Sequence, residues 1–255
     1  MNQWNKPALG STIDPQHPLS QGCVMALCML EGAGNRTYDL THNGNDGVLT
    51  NGPIWKPGRN GAAISFDGVD DYVSIRYRDK PTLQPKHITL SVWTYNSSGF
   101  LFMHGEPVNR GTSGYGLTPT YFFIVTADGV QVSSNFSASI PVDEWALLIA
   151  TWDGKTMNIY VNGVNVYSAV KSGGDIVYNV GRGTTNFFMH RYSYAAAVTG
   201  GGLIPDVRIW NRALSPDEVQ DLYINPYGFI WEPQKYWLMP QGVTIPPHLL
   251  FRRVA

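Results

Sequence analysis

Charge is what this chain has little of. Charged residues make up 15% of its 255 positions, and 18 lysines and arginines almost balance 19 aspartates and glutamates, for a formal net charge of −1. Without a basic excess there is no electrostatic footprint for nucleic acid or for an anionic membrane surface, and neither is expected as a partner. Long apolar runs are also missing. A spanning helix needs about 18–20 consecutive apolar residues, so no membrane insertion is expected. The start, MNQWNKPALG, lacks the basic-then-apolar order of a secretory signal. On that reading, either a signal has already been removed or the protein leaves its cell by another route, such as lysis.

Cysteine is scarce as well. Cys23 and Cys28 are the only two, in GCVMALCML, which reads as a strand. An odd offset sends them to opposite faces. Extended, they sit ~16 Å apart at ~3.3 Å per residue, whereas a disulfide needs Cα atoms within about 7 Å. Two free core thiols are expected.

What is abundant is turn chemistry. Gly at 27, Pro at 17 and aromatics at 13% describe a turn-rich all-β chain, long enough to bury a large core. Strands are expected at 22–30, 62–66, 71–77, 87–96, 99–104, 120–126, 129–137, 145–152, 155–161, 163–169, 175–180 and 205–211. Asp67-Gly68, Asp128-Gly129, Asp153-Gly154 and Asn162-Gly163 fall between them and are read as hairpin turns, because such pairs accept positive φ. This punctuation predicts a sandwich or jelly roll. One helix is signalled by Leu214 to Tyr223: Ser215 as N-cap, Pro216 at N1 and Glu218 at N3 form a capping box. Val219, Leu222 and Tyr223 share the face that packs down.

Residues 1–20, with Pro7, Pro15 and Pro18, read as an irregular arm. Residues 226–255 hold five prolines and six aromatics, Tyr227, Phe229, Trp231, Tyr236, Trp237 and Phe251. This segment is too aromatic for a free tail and too broken by proline for a strand. It reads as an arm whose rings dock on another protein subunit.

Four stretches carry a resemblance: LEGAGNRTYDLTHNGNDGVLTNGPIW (30–55), AISFDGVDDYVSI (63–75), WALLIATWDGKTMNIYVNGV (145–164) and IPDVRIWNRALSPDEVQDLY (204–223). In this order they resemble the concanavalin A-like lectin/glucanase superfamily, in its laminin-G-like branch, over residues 21–225. The resemblance implies a two-sheet antiparallel jelly-roll sandwich with the first and last strands adjacent, one short C-terminal helix and an irregular C-terminal arm. The flanks HPLSQG (17–22) and LYINPYGFI (222–230) resemble those of laminin-G-like proteins of phage and prophage genomes. HGEPVNRGTSGYGLTPTYFF (104–123) and RGTTNFFMHRYSYAAAVTGGG (182–202) follow no family pattern.

Glucanases of this superfamily carry carboxylates two apart on one strand, so that acid and nucleophile share a face about 5 Å apart. No such run occurs here, nor a Gly-x-Ser-x-Gly elbow, and the protein is not expected to be an enzyme. Asp70 and Asp71 are expected to bond loop amides, with a ligand or metal role as the alternative. A structural calcium is expected near Glu31, Asp39, Asn43, Asn45 and Asp206, since calcium takes six to eight hard oxygens. The alternative is an Asx-rich loop, with Asp46 included, satisfying its own backbone. Trp93, Trp145 and Trp152 lie in alternating runs and are expected in the core, with a sugar platform as the alternative. Sugar stacking is sought from loop aromatics Tyr115, Phe187, Phe188, Tyr192 and Tyr194, with Arg182, His190 and Arg191 beside them; simple loop packing is the alternative. Two functions are left standing. The main reading is a non-catalytic structural or decorating subunit of a larger assembly, a phage virion surface protein, with partners among its own copies or capsid and tail proteins. The alternative is a carbohydrate-binding module for surface glycans. Virion surface or extracellular space is the expected location.

Overall fold

The computed structural model describes residues 5–75, 81–105, 114–133, 135–178, 187–189 and 200–231. Two eight-stranded antiparallel sheets face each other. The first runs in the order β12 (Gly129–Val132), β11 (Phe122–Thr126), β10 (Gly114–Leu117), β9 (Phe102–Gly105), β16 (Phe187–Met189), β7 (Tyr72–Ile75), β4 (Gly47–Thr50), β3 (Arg36–Thr37). The second runs β15 (Val164–Val170), β14 (Thr156–Val161), β13 (Trp145–Trp152), β8 (Ile88–Tyr95), β17 (Gly201–Trp210), β6 (Gly61–Asp67), β5 (Ile54–Gly58). The long β17 pairs with β6 through its first half and with β2 (Cys23–Leu27) through its second. The first and last strands of the sandwich are therefore adjacent.

Alternation decides which residues enter the core. From the second sheet Leu90, Val92, Leu148, Ala150, Val207 and Ile209 point at the first, and Leu117, Phe122 and Ile124 meet them. Trp93, Leu147, Ile149 and Trp210 point the other way. They do not face water. Helix α1 (Pro216–Ile224), the N-terminal segment and residues 227–230 cover them. Both halves of the capping box are formed: Glu218 N donates to Ser215 Oγ at 3.3 Å, and Ser215 N donates to Glu218 Oε2 at 2.9 Å.

Three of the Asx-Gly pairs close hairpins, between β11 and β12, β13 and β14, and β14 and β15. Asp67-Gly68 does not. Both edges of β6 are taken, by β5 and β17, so the chain must leave that sheet, and β7 pairs instead with β4 and β16 in the opposite one. The turn at 67–71 is a crossover. Gly68 sits at φ 79°, and a Cβ there would come within 3.3 Å of the Gly201 amide nitrogen. Asp71 Oδ2 accepts from Asp67 N at 3.0 Å and Asp67 Oδ1 from Val69 N at 2.8 Å.

Both cysteines are free and buried. They share a face, however. Ile209 pairs with Met25 and Trp210 with Cys23, so Val24 is an extra residue, and this bulge resets the alternation. Burial raises both thiols, Cys28 to about 11, so neither is a reactive thiolate at neutral pH.

Several expected segments change. Residues 175–178 form no strand; a bridge from Ile176 to Thr126 is what they contribute. The N-terminal arm is partly ordered by β1 (Thr12–Ile13), which pairs with β18 (Ile230–Trp231). The beginning of the C-terminal arm folds back on its own sandwich: Phe229 is fully buried and Tyr227 packs beside it. These two rings are therefore not a surface for a second subunit, because the outer face of the second sheet needed covering and they lie next to it in sequence. Trp231 is half exposed. Tyr236, Trp237 and Phe251 lie outside the described residues.

Candidate functional site

The loop between β3 and β4 is built around Asp39. Its isolated bridge to Leu27 seats it beside β2. Asp39 Oδ1 accepts from Ala26 N at 2.9 Å and Thr41 N at 3.1 Å, and Oδ2 from Asn45 N at 3.1 Å; the Thr41 hydroxyl lies 2.8 Å from both oxygens. Asn43 and Asn45 each donate a side-chain N–H to the Val24 carbonyl, at 3.0 and 2.7 Å. Asp46 Oδ1 accepts from Asp39 N at 3.0 Å, and Glu31 Oε1 from Tyr38 N at 2.9 Å. The Asx residues thus serve the loop's own backbone and hold it in one shape.

That shape, with the N-terminal segment across it, makes a cleft of about 530 Å³. Its walls include Leu9, Leu30, Glu31, Tyr38, His42 and Asp46. The Tyr38 ring is half exposed, and His42 stands out on a left-handed backbone at φ 60°. Among the described residues, no lysine or arginine lines the cleft.

Beneath the outer face of the second sheet lies a group of buried charges. Alternation along β17 turns Asp206, Arg208 and Trp210 to this side. Asp206 and Arg208 are fully buried and meet at 3.4 Å. Arg208 also donates to the Pro226 carbonyl at 2.6 Å and lies over the Tyr227 and Phe229 rings at 5.1 and 5.4 Å. Tyr227 donates its hydroxyl to Asp206 Oδ2 at 3.1 Å. Burial pulls the Arg208 pKa down, but Asp206, Cys28 and Tyr227 outweigh it and leave it above its ordinary value. Lys6 reaches in from the N-terminal segment. Burial lowers its pKa to about 8, against the pull of Asp206, so it stays charged at neutral pH.

The structure divides the expected calcium set between different partners. Asp39, Asn43 and Asn45 come together, but around a backbone carbonyl, with the Asp39 carboxylate given over to four protein donors. Asp206 is turned to Arg208 and Tyr227, and Glu31 to Tyr38. The expected glycan set changes too. Tyr115 is fully buried, its hydroxyl donating to the Leu83 carbonyl at 3.2 Å and its ring 5.3 Å from that of His104. It is core because β10 lies in the middle of the first sheet. Phe187 and Phe188 lie on β16. Arg182, His190, Arg191, Tyr192 and Tyr194 lie outside the described residues. Trp93 and Trp152 are core, and Arg59 stacks over Trp93 at 4.0 Å. Asp67, Asp70 and Asp71 place oxygens within 4.8 Å of one another, but Asp67 and Asp71 are engaged with the turn amides.

Sequence reasoning missed Tyr38 and Lys6. Tyr38 was hidden by its neighbours, since an aromatic before an Asx-rich loop carries no periodic signal. Lys6 had one: it is the only lysine or arginine in the first twenty residues.

Comparison with known proteins agrees with this architecture. Residues 67–220 match the family model described as the concanavalin A-like lectin/glucanases superfamily. No curated protein matches the chain. Among solved structures, the chain is similar to domain 4 of an extracellular arabinanase from Geobacillus stearothermophilus, in complex with arabinotriose. The identity is 17%, covering 79% of this chain and 98% of that one, with a TM-score of 0.57. It is similar to the binding domain of botulinum neurotoxin DC in complex with SialylT, at 13% identity, 79% and 51% coverage and a TM-score of 0.57. It is also similar to a Trypanosoma rangeli sialidase in complex with sialic acid, at 16% identity, 87% and 37% coverage and a TM-score of 0.54. The chain spans about half of the toxin domain and about a third of the sialidase. Two sheets face to face, a first strand paired with the last, and a family model matched over most of the sandwich place this chain in the concanavalin A-like lectin/glucanases superfamily.

Proposed function

We propose that this protein is a non-catalytic carbohydrate-binding module, with the cleft between the N-terminal segment and the 38–46 loop as its sugar site. The observation that carries the reading is the cleft's lining. A half-exposed Tyr38 ring offers a flat apolar surface for the C–H face of a sugar. His42 and Asp46 stand around it as polar partners for hydroxyls. The volume is in the usual range for a small-ligand pocket, roughly 300–1,000 Å³. Carboxylates without a facing lysine or arginine favour a neutral sugar over a sialylated or uronic one, because an acidic sugar would meet like charge. The arabinotriose complex of the arabinanase domain supports the ligand class. The sequence pattern of the acids supports binding without hydrolysis, since no strand presents carboxylates two apart on one face.

Titration calorimetry with neutral arabino- and gluco-oligosaccharides and with sialyllactose tests this. Binding of a neutral oligosaccharide is expected, weakened about tenfold or more, or ~1.4 kcal/mol, by Tyr38→Ala and by Asp46→Ala. If binding survives both changes intact, the cleft is not the site. If reducing sugar is released, the protein is an enzyme.

A second reading, a subunit of a larger assembly such as a virion surface, rests on the half-exposed Trp231 and the resemblance of the flanks. It is compatible with the first, since a surface protein that touches sugar needs both an anchor and a lectin face.

A further inference from the structure

Among the described residues two aromatic side chains stand exposed, Tyr38 at 50% and Trp231 at 52%. They are distant in sequence, and the fold brings both to the same cleft. Tyr38 lines it. Trp231 is paired in register with Thr12, which lines it too. Residues paired across antiparallel strands point to one face, with Cβ atoms about 5 Å apart. Their neighbours decide which face that is. Ile13 and Ile230, the adjoining pair, pack into the core of the outer layer. Alternation therefore turns Thr12 and Trp231 away from that core. The Trp231 ring stands beside the cleft wall, on the face that Thr12 presents.

Both strands of this pair are anchored. Phe229 is fully buried, 6.3 Å from the Trp210 ring and 6.1 Å from that of His17, and its carbonyl accepts from Asp14 N at 2.8 Å. Lys6 fixes the N-terminal segment through the carbonyls of Cys28, Met29, Ala62 and Pro205. Ser11 N then closes a turn on the Ala8 carbonyl at 3.1 Å, with Gly10 at φ 90°, and the turn leaves Leu9 exposed at the cleft. A ring held ready in this way loses little freedom when a ligand stacks on it. The apolar surface is not continuous. Thr12 stands between the cleft and Trp231, and His42 and Asp46 border Tyr38. Separate apolar faces with a few polar groups between them suit a chain of sugars, whereas a protein partner calls for an unbroken apolar centre. Leu9, Tyr38 and Trp231 all lie outside residues 67–220, so this surface is built from the flanks of the matched family pattern.

We propose that Trp231 is a second sugar platform, so that the site takes a neutral oligosaccharide with one unit on Tyr38 in the cleft and a further unit on Trp231 beyond Thr12. This rests on the carbohydrate reading above and adds to it that the ligand is a chain of sugars rather than a single one. The C-terminal segment, by pairing with β1, supplies the outer half of the site.

Calorimetric titration of the full chain with arabinose, arabinobiose and arabinotriose, and with the matching glucose series, tests this. Native affinity is expected to rise with length in the series that binds. Trp231→Leu keeps apolar bulk but has no flat ring, and should weaken trisaccharide binding about tenfold, the order of one aromatic contact, while leaving the monosaccharide unchanged. Trp231→Phe restores a ring and should recover most of the gain with length. Tyr38→Ala should weaken every length. Equal native affinity for one sugar and three overturns the second platform and leaves the carbohydrate reading standing. So does a Trp231→Leu protein that loses the monosaccharide as strongly as the trisaccharide, or a Trp231→Phe protein that binds no better than Trp231→Leu. If no sugar of any length binds the native protein, the carbohydrate reading fails and takes this proposal with it. Sedimentation of the same variants covers the other occupant: self-association lost in Trp231→Leu with trisaccharide affinity intact would assign the ring to a protein contact and overturn the proposal.

Discussion

The two faces of the second sheet are both buried, and they are buried by different means. The inner face meets the first sheet through aliphatic and aromatic side chains such as Leu90, Leu148 and Ile209. The outer face meets no second large sheet, only the short β1–β18 pair. A helix, an N-terminal segment and a returning C-terminal segment cover it, and among the apolar contacts lie Lys6, Asp206 and Arg208. On the inner face non-directional burial does the holding, at roughly 25 cal/mol per Å². On the outer face some backbone carbonyls, in the covering segment at Pro226 and along the sheet's own strands at Ala62 and Pro205, are met by buried cations. Arg208 answers Pro226, and Lys6 answers four carbonyls at once. The difference teaches that the face covered by helix and coil, unlike the face covered by a sheet, carries buried charge among its apolar contacts.

The largest test removes one member of the charge pair. Asp206→Ala leaves Arg208 uncompensated in the interior and is expected to cost about 3–5 kcal/mol, read from urea denaturation. Replacing both, as Asp206→Leu with Arg208→Met, should recover most of that, because the penalty lies in the orphaned charge. A cost below about 1 kcal/mol for Asp206→Ala would mean that apolar packing holds both faces alike.

The inner region has its own titratable ring. His104 lies on β9 against Tyr115 and Tyr178, at ring distances of 5.3 and 5.2 Å. Burial pushes its pKa from 6.5 down to about 3. The folded protein thus holds it neutral, while the unfolded chain takes a proton as pH falls through 6.5. Stability is complete above that value and declines as pH drops from 6.5 toward 3, by ~1.4 kcal/mol per pH unit at most. At pH 5 the loss should be roughly 2 kcal/mol, and His104→Gln should remove this part of the acid sensitivity. An acid limb identical in the variant would show that the charges of the outer face set it instead.

The smallest effect concerns the helix that roofs the outer face. Ser215→Ala removes the acceptor for Glu218 N and should cost about 1 kcal/mol in urea. A much larger loss would mean that α1 is a cornerstone of the outer layer rather than a cover over it.

The capping box of α1, the three Asx-Gly hairpins and the central strands 145–152 and 156–161 were legible because each rests on contacts between near neighbours or on a period of two. So was the all-β class, from glycine, proline and aromatic content. The crossover at Asp67-Gly68 was not. Its residues look like those of the hairpins, and what differs is that both edges of β6 are already occupied by strands distant in the chain. The bulge at Val24, which brings Cys23 and Cys28 to one face, depends on how Trp210 is paired. The burial of Tyr115 depends on its place in the middle of a sheet. The roles of Asp206 and Lys6 were hidden for a related reason: the residues that meet them, Arg208 and Tyr227 for the one and four carbonyls from three separate segments for the other, are assembled only when the chain closes. Local chemistry written in the sequence determined which segments would be strands, turns and helix. Tertiary structure alone decided which edges were free, which carbonyls were left over, and therefore where a charge had to be buried.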